Sequence, residues 1–462
     1  MKCNDFAWLN QCQKVNHFPG SFHFGRKDKL WINLQCLATF CGDESLCSFH
    51  PKTYLLPHDL KELRKEWIAN AGVNKLMILK PPAAARGNGI TVIHKWSQIP
   101  KSVKQSKKIN KAQLVVQEYI SNPCLLFNRT KFDLRFYCLV TSFNPLRIYI
   151  FDDGLVRFAS VKYSYDIENL NNQFMHLTNY SINKKSLTYK INDDAEAKTG
   201  HKWTLKTFWN YLKQSETNLD VEKLKSKIFD MILKTVIACE SNVDKLVKKH
   251  SLHKYNSFEL LGFDIMLDCE FKPWLLEVNI SPSLRAESSL DASVKGQLIK
   301  DMLNIVGYKF PLLDDDEYVE NQASHLHSDK SFLKFKFSKE EREKHKLYER
   351  SFCDENILEN LTPDDVRQLM EAEDELSRCG HFIRVFPSAS SDIYMNLFVE
   401  KKYYNLLLNE WEKKFGNDRM QGIAFLQSIA ERKIHLKGVC IYENYDTDEN
   451  SSNFGCDTIL FD

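Results

Sequence analysis

The chain has 462 residues, 43% apolar and 27% charged, with 63 basic and 61 acidic side chains for a formal charge of +2. That length accommodates two or three domains with sizeable cores, and the composition excludes a disordered polymer. Thirteen cysteines are scattered without any C-x-x-C, the start lacks an apolar signal core, and no run approaches the ~20 apolar residues of a membrane span, so reduced structural thiols in a cytosolic protein are expected.

Charge is unevenly distributed. Residues 101–111 carry five lysines and no acid, whereas 314–317 are wholly acidic. Residues 1–57, rich in aromatics, Cys and His and containing RKDKLW, read as a small, incomplete N-terminal domain. From 58 to 70, Leu60, Leu63, Trp67 and Ile68 recur at helical spacing, with Gly72 as a stop signal. LMILK (76–80) is a buried strand running into PPAAARGNGI, and ITVIH (90–94) is the next strand. Further strands are expected at 112–120 and 131–142, and 145–160 reads as two strands around an Asp-Gly turn. Helices follow at 203–213 and 221–249, and a last one at 291–305 carries Val294, Leu298, Ile299, Met302 and Leu303 on one face. Cys138 and Cys239 lie in apolar segments and are assigned to the core.

The acidic segment reads as a linker, 313–337. Ser338 and Glu341 form a capping box, and Thr362-Pro363-Asp364-Asp365 opens another helix that Gly380 stops, so 338–440 is expected to be a helical extension. Residues 441–462 read as a disordered tail.

The stretch GFDIMLDCEFKPWLLEVNISPS concentrates the chemistry. Its apolar runs at 263–267 and 274–278 are strands, and the polar residues between them form a turn. Glu277 and Asn279 then share a face, and Asp264 can meet them from the neighbouring strand. Two carboxylates and an amide suit Mg²⁺, which takes oxygen ligands and completes its shell with substrate phosphates. Upstream, Lys80 ends a buried strand and precedes a loop containing Gly87 and Gly89. Because a strand and not a helix follows, this is neither a P-loop nor a dinucleotide fingerprint. Two lysines from different strands, Lys80 and Lys131, a glycine flap and Asp/Glu/Asn metal ligands together describe an α/β ATP-grasp ligase, with a central domain at 58–120 and a nucleotide domain at 121–312.

KPPAAARGNGI, VVQEYI, KFDLRFYCLV, YIFDDGLVRFAS, FMHLTNYSINK, GFDIMLD and KPWLLEVNISPSL, in this order, resemble the tubulin tyrosine ligase-like family, in particular its polyglutamylases, from about residue 15 to 312. The tail containing LTPDDVRQLMEAEDELSRCGHFIRVFP resembles that of one polyglutamylase subgroup. The resemblance implies ATP contacts at Lys80, Arg86, Gly87, Gln117, Glu118, Tyr119, Ile120, Lys131, Asp133, Thr178 and Asn179, and Mg²⁺ ligands at Asp264, Glu277 and Asn279, with two ions. It places the incoming L-glutamate against Arg157, Tyr180, Ser181, Lys202 and Lys295, and makes Arg157, Lys295 and Glu277 the catalytic set. Ile280 stands where many members have histidine, so acceptor contacts by that residue are not carried over.

The implied reaction phosphorylates an acceptor γ-carboxylate with ATP, after which the amine of glutamate displaces phosphate to form an isopeptide bond. Two anions must meet, and Arg157 offers a bidentate fork while Lys295 offers a point charge. Glutamate has two carboxylates where glycine has one, which favours glutamate. The implied partners are tubulin and microtubules through acidic C-terminal tails, other acidic proteins, and free L-glutamate, without nucleic acid or membrane; the chain is expected to be a monomer. The implied location is cytoplasm and cytoskeleton, at microtubules, cilium basal body or centriole. A glycylase, a ligase for non-tubulin acidic proteins and a non-catalytic microtubule-binding scaffold remain the alternatives.

Overall fold

A computed structural model describes residues 3–10, 13–70, 75–85, 87–104, 113–125, 127–216, 218–253, 256–308, 334–336, 338–350, 356–437 and 439–441. Arg86, most of the lysine-rich run, the acidic linker from 313 to 333 and the tail beyond 441 lie outside the described residues.

The strands are β1 (Val15–Asn16), β2 (Thr53–Leu56), β3 (Met77–Lys80), β4 (Thr91–Ile93), β5 (Leu114–Glu118), β6 (Thr130–Phe143), β7 (Leu146–Lys162), β8 (Lys202–Thr204), β9 (Ser257–Leu267), β10 (Pro273–Asn279), β11 (Lys334–Lys336), β12 (Phe382–Phe386) and β13 (Val439–Ile441). They make a small sheet in the order β2-β5-β3-β4 and a large one in the order β1-β9-β6-β7-β12, with β10 also on β9 and β8 also on β7. β11 and β13 pair with each other.

The large sheet is covered on both faces, which explains why β6 reads as a nearly continuous apolar run. Phe136, Cys138 and Val140 face a core built with the helix Val221–His250 and the N-terminal helix Lys27–Cys41. Tyr137 and Leu139 face the opposite core, under Leu290, Val294, Leu298, Met302 and Ile305 of the helix Ser289–Val306. Leu303, expected on that helix's apolar face, is exposed. Cys138 and Cys239 are buried. At the other end of β6 the odd-numbered positions are Lys131, Asp133 and Arg135, all buried, so one face of one strand changes from core to charged site along its length.

Several expectations change with the tertiary structure. Residues 145–160 are one strand, not two: β7 runs through Asp153-Gly154, and the reversal lies at 143–146, between β6 and β7. Gly154 is needed for close approach, because a Cβ there would sit 2.2 Å from the Arg135 carbonyl oxygen. Residues 1–57 do not stand apart: β1 joins the large sheet and β2 the small one. The C-terminal extension has the helices Lys339–Arg350, Pro363–Ser377, Tyr403–Phe415 and Arg419–Glu431 but also contributes β12 to the edge of the large sheet, and β11 falls within the expected linker. The extension is latched by Lys402, whose ammonium lies 2.6 Å from Asp244 and also contacts Glu240, both on Val221–His250.

Candidate nucleotide and metal cleft

A cleft of about 670 Å³, counted with its open mouth, lies between the two sheets. Its walls include Lys80, Gly87, Gln117, Glu118, Tyr119, Ile120, Lys131, Asp133, Thr178, Asn179, Asp264 and Glu277, so every described residue assigned above to ATP lines it. Ile78, Ile90, Met266, Leu276 and Leu177 supply the apolar surface that a base requires.

The lysines come from the end of β3 and the start of β6. Lys80 donates to Gln117 Oε1 at 2.6 Å. Lys131 donates to the Tyr119 hydroxyl at 3.1 Å and lies 4.4 Å from that ring's centre. Both are buried against neutral partners, and among the described residues neither makes an ion pair. Burial, with Lys27 adding, pulls Lys80 down to about 8; burial, with Lys80 adding, pulls Lys131 down to about 7. Tyr119 is held in turn by the imidazole of His176, with the hydroxyl 2.8 Å from Nδ1. Glu118 turns its carboxylate to Lys75.

Gly87 closes the loop over the cleft. It has φ +76°, and a Cβ there would approach Ile182 Cδ1 to 2.5 Å and Asn179 Oδ1 to 3.0 Å, so the backbone can pass only without a side chain.

The acidic wall is a row of charges across adjacent strands. Arg157 on β7 is opposite Asp133 on β6, Arg135 on β6 is opposite Asp264 on β9, and Asp264 is opposite Glu277 on β10. Arg157 reaches Asp133 through Nε at 2.7 Å and Nη2 at 2.5 Å, and Nη2 is also 2.9 Å from Asp264 Oδ2. Arg135 grips Asp264 at 2.5 and 3.0 Å. Thr178 adds a hydrogen bond to Asp133 at 2.7 Å. Burial opposes ionisation of Asp264, but Arg135 and Arg157 outweigh it and hold the carboxyl well below its usual range. For Asp133 burial prevails over Arg157 and the carboxyl is pushed up.

The hairpin differs from a regular one in a way that matters for the site. A bulge between Leu275 and Glu277 lets the consecutive residues Leu276 and Glu277 both line the cleft, whereas strict alternation would have hidden one of them. Asn279 is outside the wall but lies 3.3 Å from Asp264 Oδ2 through its amide nitrogen. Two carboxylates and an amide oxygen on facing strands form a hard-oxygen donor set that fits a divalent cation. A cation already stands at this place: the Lys27 ammonium, 2.8 Å from Glu277 Oε2. Ile280 packs against Gly25 and belongs to the core below the site.

The residues assigned to glutamate form a second cluster outside the cleft walls. Lys202 and Lys295 approach the two oxygens of Asp291 at 2.6 and 2.9 Å, and Lys202 lies 4.7 Å from the centre of the Tyr180 ring. Burial lowers Lys295 while Asp291 partly restores it. Ser181 follows Tyr180 on the short helix Tyr180–Asn183. Arg157 links the two places, because its fork is engaged by Asp133 and Asp264 while its backbone pairs with Lys202.

Sequence reasoning missed Lys27, Arg135, His176 and Asp291. Arg135 had a signal, since Lys131, Asp133 and Arg135 alternate and must share one face of a strand. Asp291 had one in its i,i+4 spacing to Lys295, whereas Lys27 and the Lys202–Asp291 pair had none, because these contacts span more than 80 residues of chain.

The two sheets with a nucleotide-sized, lysine- and carboxylate-walled cleft between them define an ATP-grasp-like protein. Residues 7–316 match the Tubulin-tyrosine ligase family, and the chain belongs to it. Over 451 residues, 94% of this chain, it is 44% identical to the protein named tubulin monoglutamylase TTLL4 of Homo sapiens. It is 40% identical over 438 residues, again 94% of the chain, to tubulin polyglutamylase ttll-4 of Caenorhabditis elegans, and 36% identical over 419 residues, 87% of the chain, to tubulin polyglutamylase TTLL5 of Mus musculus. The chain spans 36% of the human relative's length, 69% of the worm's and 30% of the mouse's. Among the described residues no helix is long and apolar enough to cross a membrane.

Proposed function

We propose that the chain is an ATP-dependent protein-glutamate ligase that extends the γ-carboxylates of glutamates in acidic protein tails, those of tubulin first. The observation that carries this reading is the cleft itself, where Lys80 and Lys131 are buried, make no ion pair among the described residues, and face the carboxylates of Asp133, Asp264 and Glu277. Buried lysines at about 8 and 7 are stabilised by a bound polyanion, which is what a nucleoside triphosphate supplies. The names of the relatives specify mono- or polyglutamylation of tubulin and support the substrate class.

An oxygen of the acceptor carboxylate attacks the γ-phosphorus and ADP leaves. The amine of free glutamate then attacks the acyl carbon, phosphate leaves, and the nitrogen gives up a proton. Lys80 and Lys131 hold the phosphates, and Asp264, Glu277 and Asn279 hold Mg²⁺, with two ions proposed. When bound, the metal neutralises charge on the transferring phosphoryl group. The Lys202–Asp291–Lys295 cluster with Tyr180 and Ser181 lies beside the site as the seat of the amino acid, with Arg157 joining the two. Action in the cytoplasm on microtubules follows from that substrate.

Incubation with tubulin, ATP, Mg²⁺ and either glutamate or glycine, followed by mass spectrometry of the tails, tests the proposal. Addition of glutamate is expected, and Glu277→Gln should lower it at least ~100-fold by removing one ligand charge. Transfer of glycine alone, or of neither amino acid, overturns the reading.

A further inference from the structure

Lys27 is the first residue of the helix Lys27–Cys41, far in sequence from everything it touches. Its backbone N–H donates to the Pro82 carbonyl at 3.0 Å, and its ammonium donates to the Ala84 carbonyl at 3.1 Å and lies 2.8 Å from Glu277 Oε2. One residue thus joins three segments: the N-terminal helix, the loop between β3 and β4, and β10. Its neighbour Arg26 is turned away to Asp28, at 2.8 and 3.1 Å, so Lys27 is the cation presented here.

The two carboxylates of the hairpin are therefore neutralised in different ways. Asp264 is held by arginines rooted in strands of its own sheet: Arg135 on adjacent β6 engages both oxygens with its planar fork, and Arg157 on β7 adds a contact to Oδ2. Among the described residues Glu277 makes one ion pair, with a point charge on a flexible four-carbon stem from another part of the chain. A divalent cation seated on Glu277 repels that ammonium and can move it without breaking strand pairing. The two carbonyl bonds do not depend on Glu277.

We propose that Lys27 is a positioning residue that pins the β3–β4 loop to Glu277 before nucleotide arrives and is displaced from that carboxylate by the divalent cation. This rests on the reading of Asp264, Glu277 and Asn279 as metal ligands. Lys27 then acts in two opposed ways: it keeps the loop closed over the cleft, and it competes with the metal for Glu277. A residue that only packs the helix against the sheets has no reason to do the second.

Lys27→Met, which keeps the apolar stem, separates these effects in the full chain. Binding of a fluorescent ATP analogue is followed as Mg²⁺ is titrated, and amide exchange is followed at residues 81–90 without ligand. The half-saturating Mg²⁺ concentration should fall about three- to tenfold as the competing charge is lost. Exchange at 81–90 should rise about tenfold, while β9 and β10 keep their protection. Lys27→Arg retains the pin with a fork that is harder to displace, so exchange should match wild type and the Mg²⁺ requirement should rise. An unchanged or raised Mg²⁺ requirement in Lys27→Met overturns the proposal, as does unchanged exchange at 81–90. Should Lys27→Met fail to fold, an unchanged or lowered Mg²⁺ requirement in Lys27→Arg overturns it equally. Neither readout includes amino acid or acceptor, so the outcome is distinct from that of glutamate transfer. Nucleotide binding that ignores Mg²⁺ in the wild-type chain would remove the metal reading and this inference together.

Discussion

The two walls of the cleft handle buried charge in opposite ways. On the β6–β7–β9 side, Asp133 and Asp264 are matched by Arg135 and Arg157, and the four side chains form a continuous chain of ion pairs across the strands. On the β3–β5–β6 side, Lys80 and Lys131 are equally buried but rest on an amide oxygen and a phenol, and their ammonium forms are disfavoured. A compensated network costs stability when one member is removed, because the remaining charge is left buried and unpaired. A buried cation without an ion-pair partner costs stability while it is there, and a bound anion offsets that cost. The first wall is therefore held together by its own charges, and the second is poised for an anion.

The largest effect expected from this contrast is that of Arg157→Ala. It strips Asp133 of its cation and Asp264 of one of two, and breaking such a buried pair costs about 3–5 kcal/mol. A much lower midpoint in chemical denaturation is expected, with glutamate transfer lost as well. A variant as stable as wild type would show that the network is solvated, and the distinction between the walls would collapse. The opposite sign is expected for Lys131→Met: the nucleotide-free protein should keep or raise its thermal midpoint, since a disfavoured buried charge is gone, while ATP affinity falls at least ~10-fold. Calorimetry with and without ATP measures both in one preparation, and a destabilised apo-protein would place Lys131 with the first wall instead.

A smaller effect sharpens the comparison through pH. Lys131 and Lys80 titrate near 7 and 8 in the folded chain and near 10.5 when unfolded. Between those values the unfolded chain binds more protons, so these groups make stability rise with pH from about 7 to 10.5. Bound phosphates favour the charged lysines and raise both pKa values, so at pH 8 ATP binding should take up protons, and its affinity should fall as pH rises further. Titration calorimetry in two buffers of different ionisation enthalpy reads the uptake directly. Proton release, or none, would mean that the lysines are already charged and the second wall is not poised.

Local pattern made much of this legible. The apolar runs at 263–267 and 274–278 with a polar turn between them placed the Asp264/Glu277 hairpin, and Lys80 at the end of a strand before Gly87 placed the lysine side of the cleft. Both depend on interactions within a few residues or on a period of two, which a linear sequence displays. The Asp-Gly at 153–154 misled the same logic: its turn propensity was overridden because Gly154 lets two strands approach. The capping box at Ser338 formed as expected, with Glu341 accepting from Ser338 N–H at 2.8 Å and the Ser338 hydroxyl accepting from Glu341 N–H at 3.0 Å.

Taken alone, the sequence determined the Asp264/Glu277 hairpin, the strands that carry the lysines of the cleft and, through long ordered motifs, the family. Only the tertiary structure decided who neutralises whom. The bulge that brings Leu276 and Glu277 to one wall, the two arginines on Asp264, Lys202 on Asp291 and Lys27 on Glu277 depend on register between strands and helices far apart in the chain. The same holds for β12, which takes its place at the edge of the large sheet by pairing with Ile148–Phe151 of β7 on the side away from β6. Periodicity assigns a side chain to a face, but electrostatic compensation acts through space at about 3 Å, and proximity on that scale between distant segments exists only once the sheets have assembled.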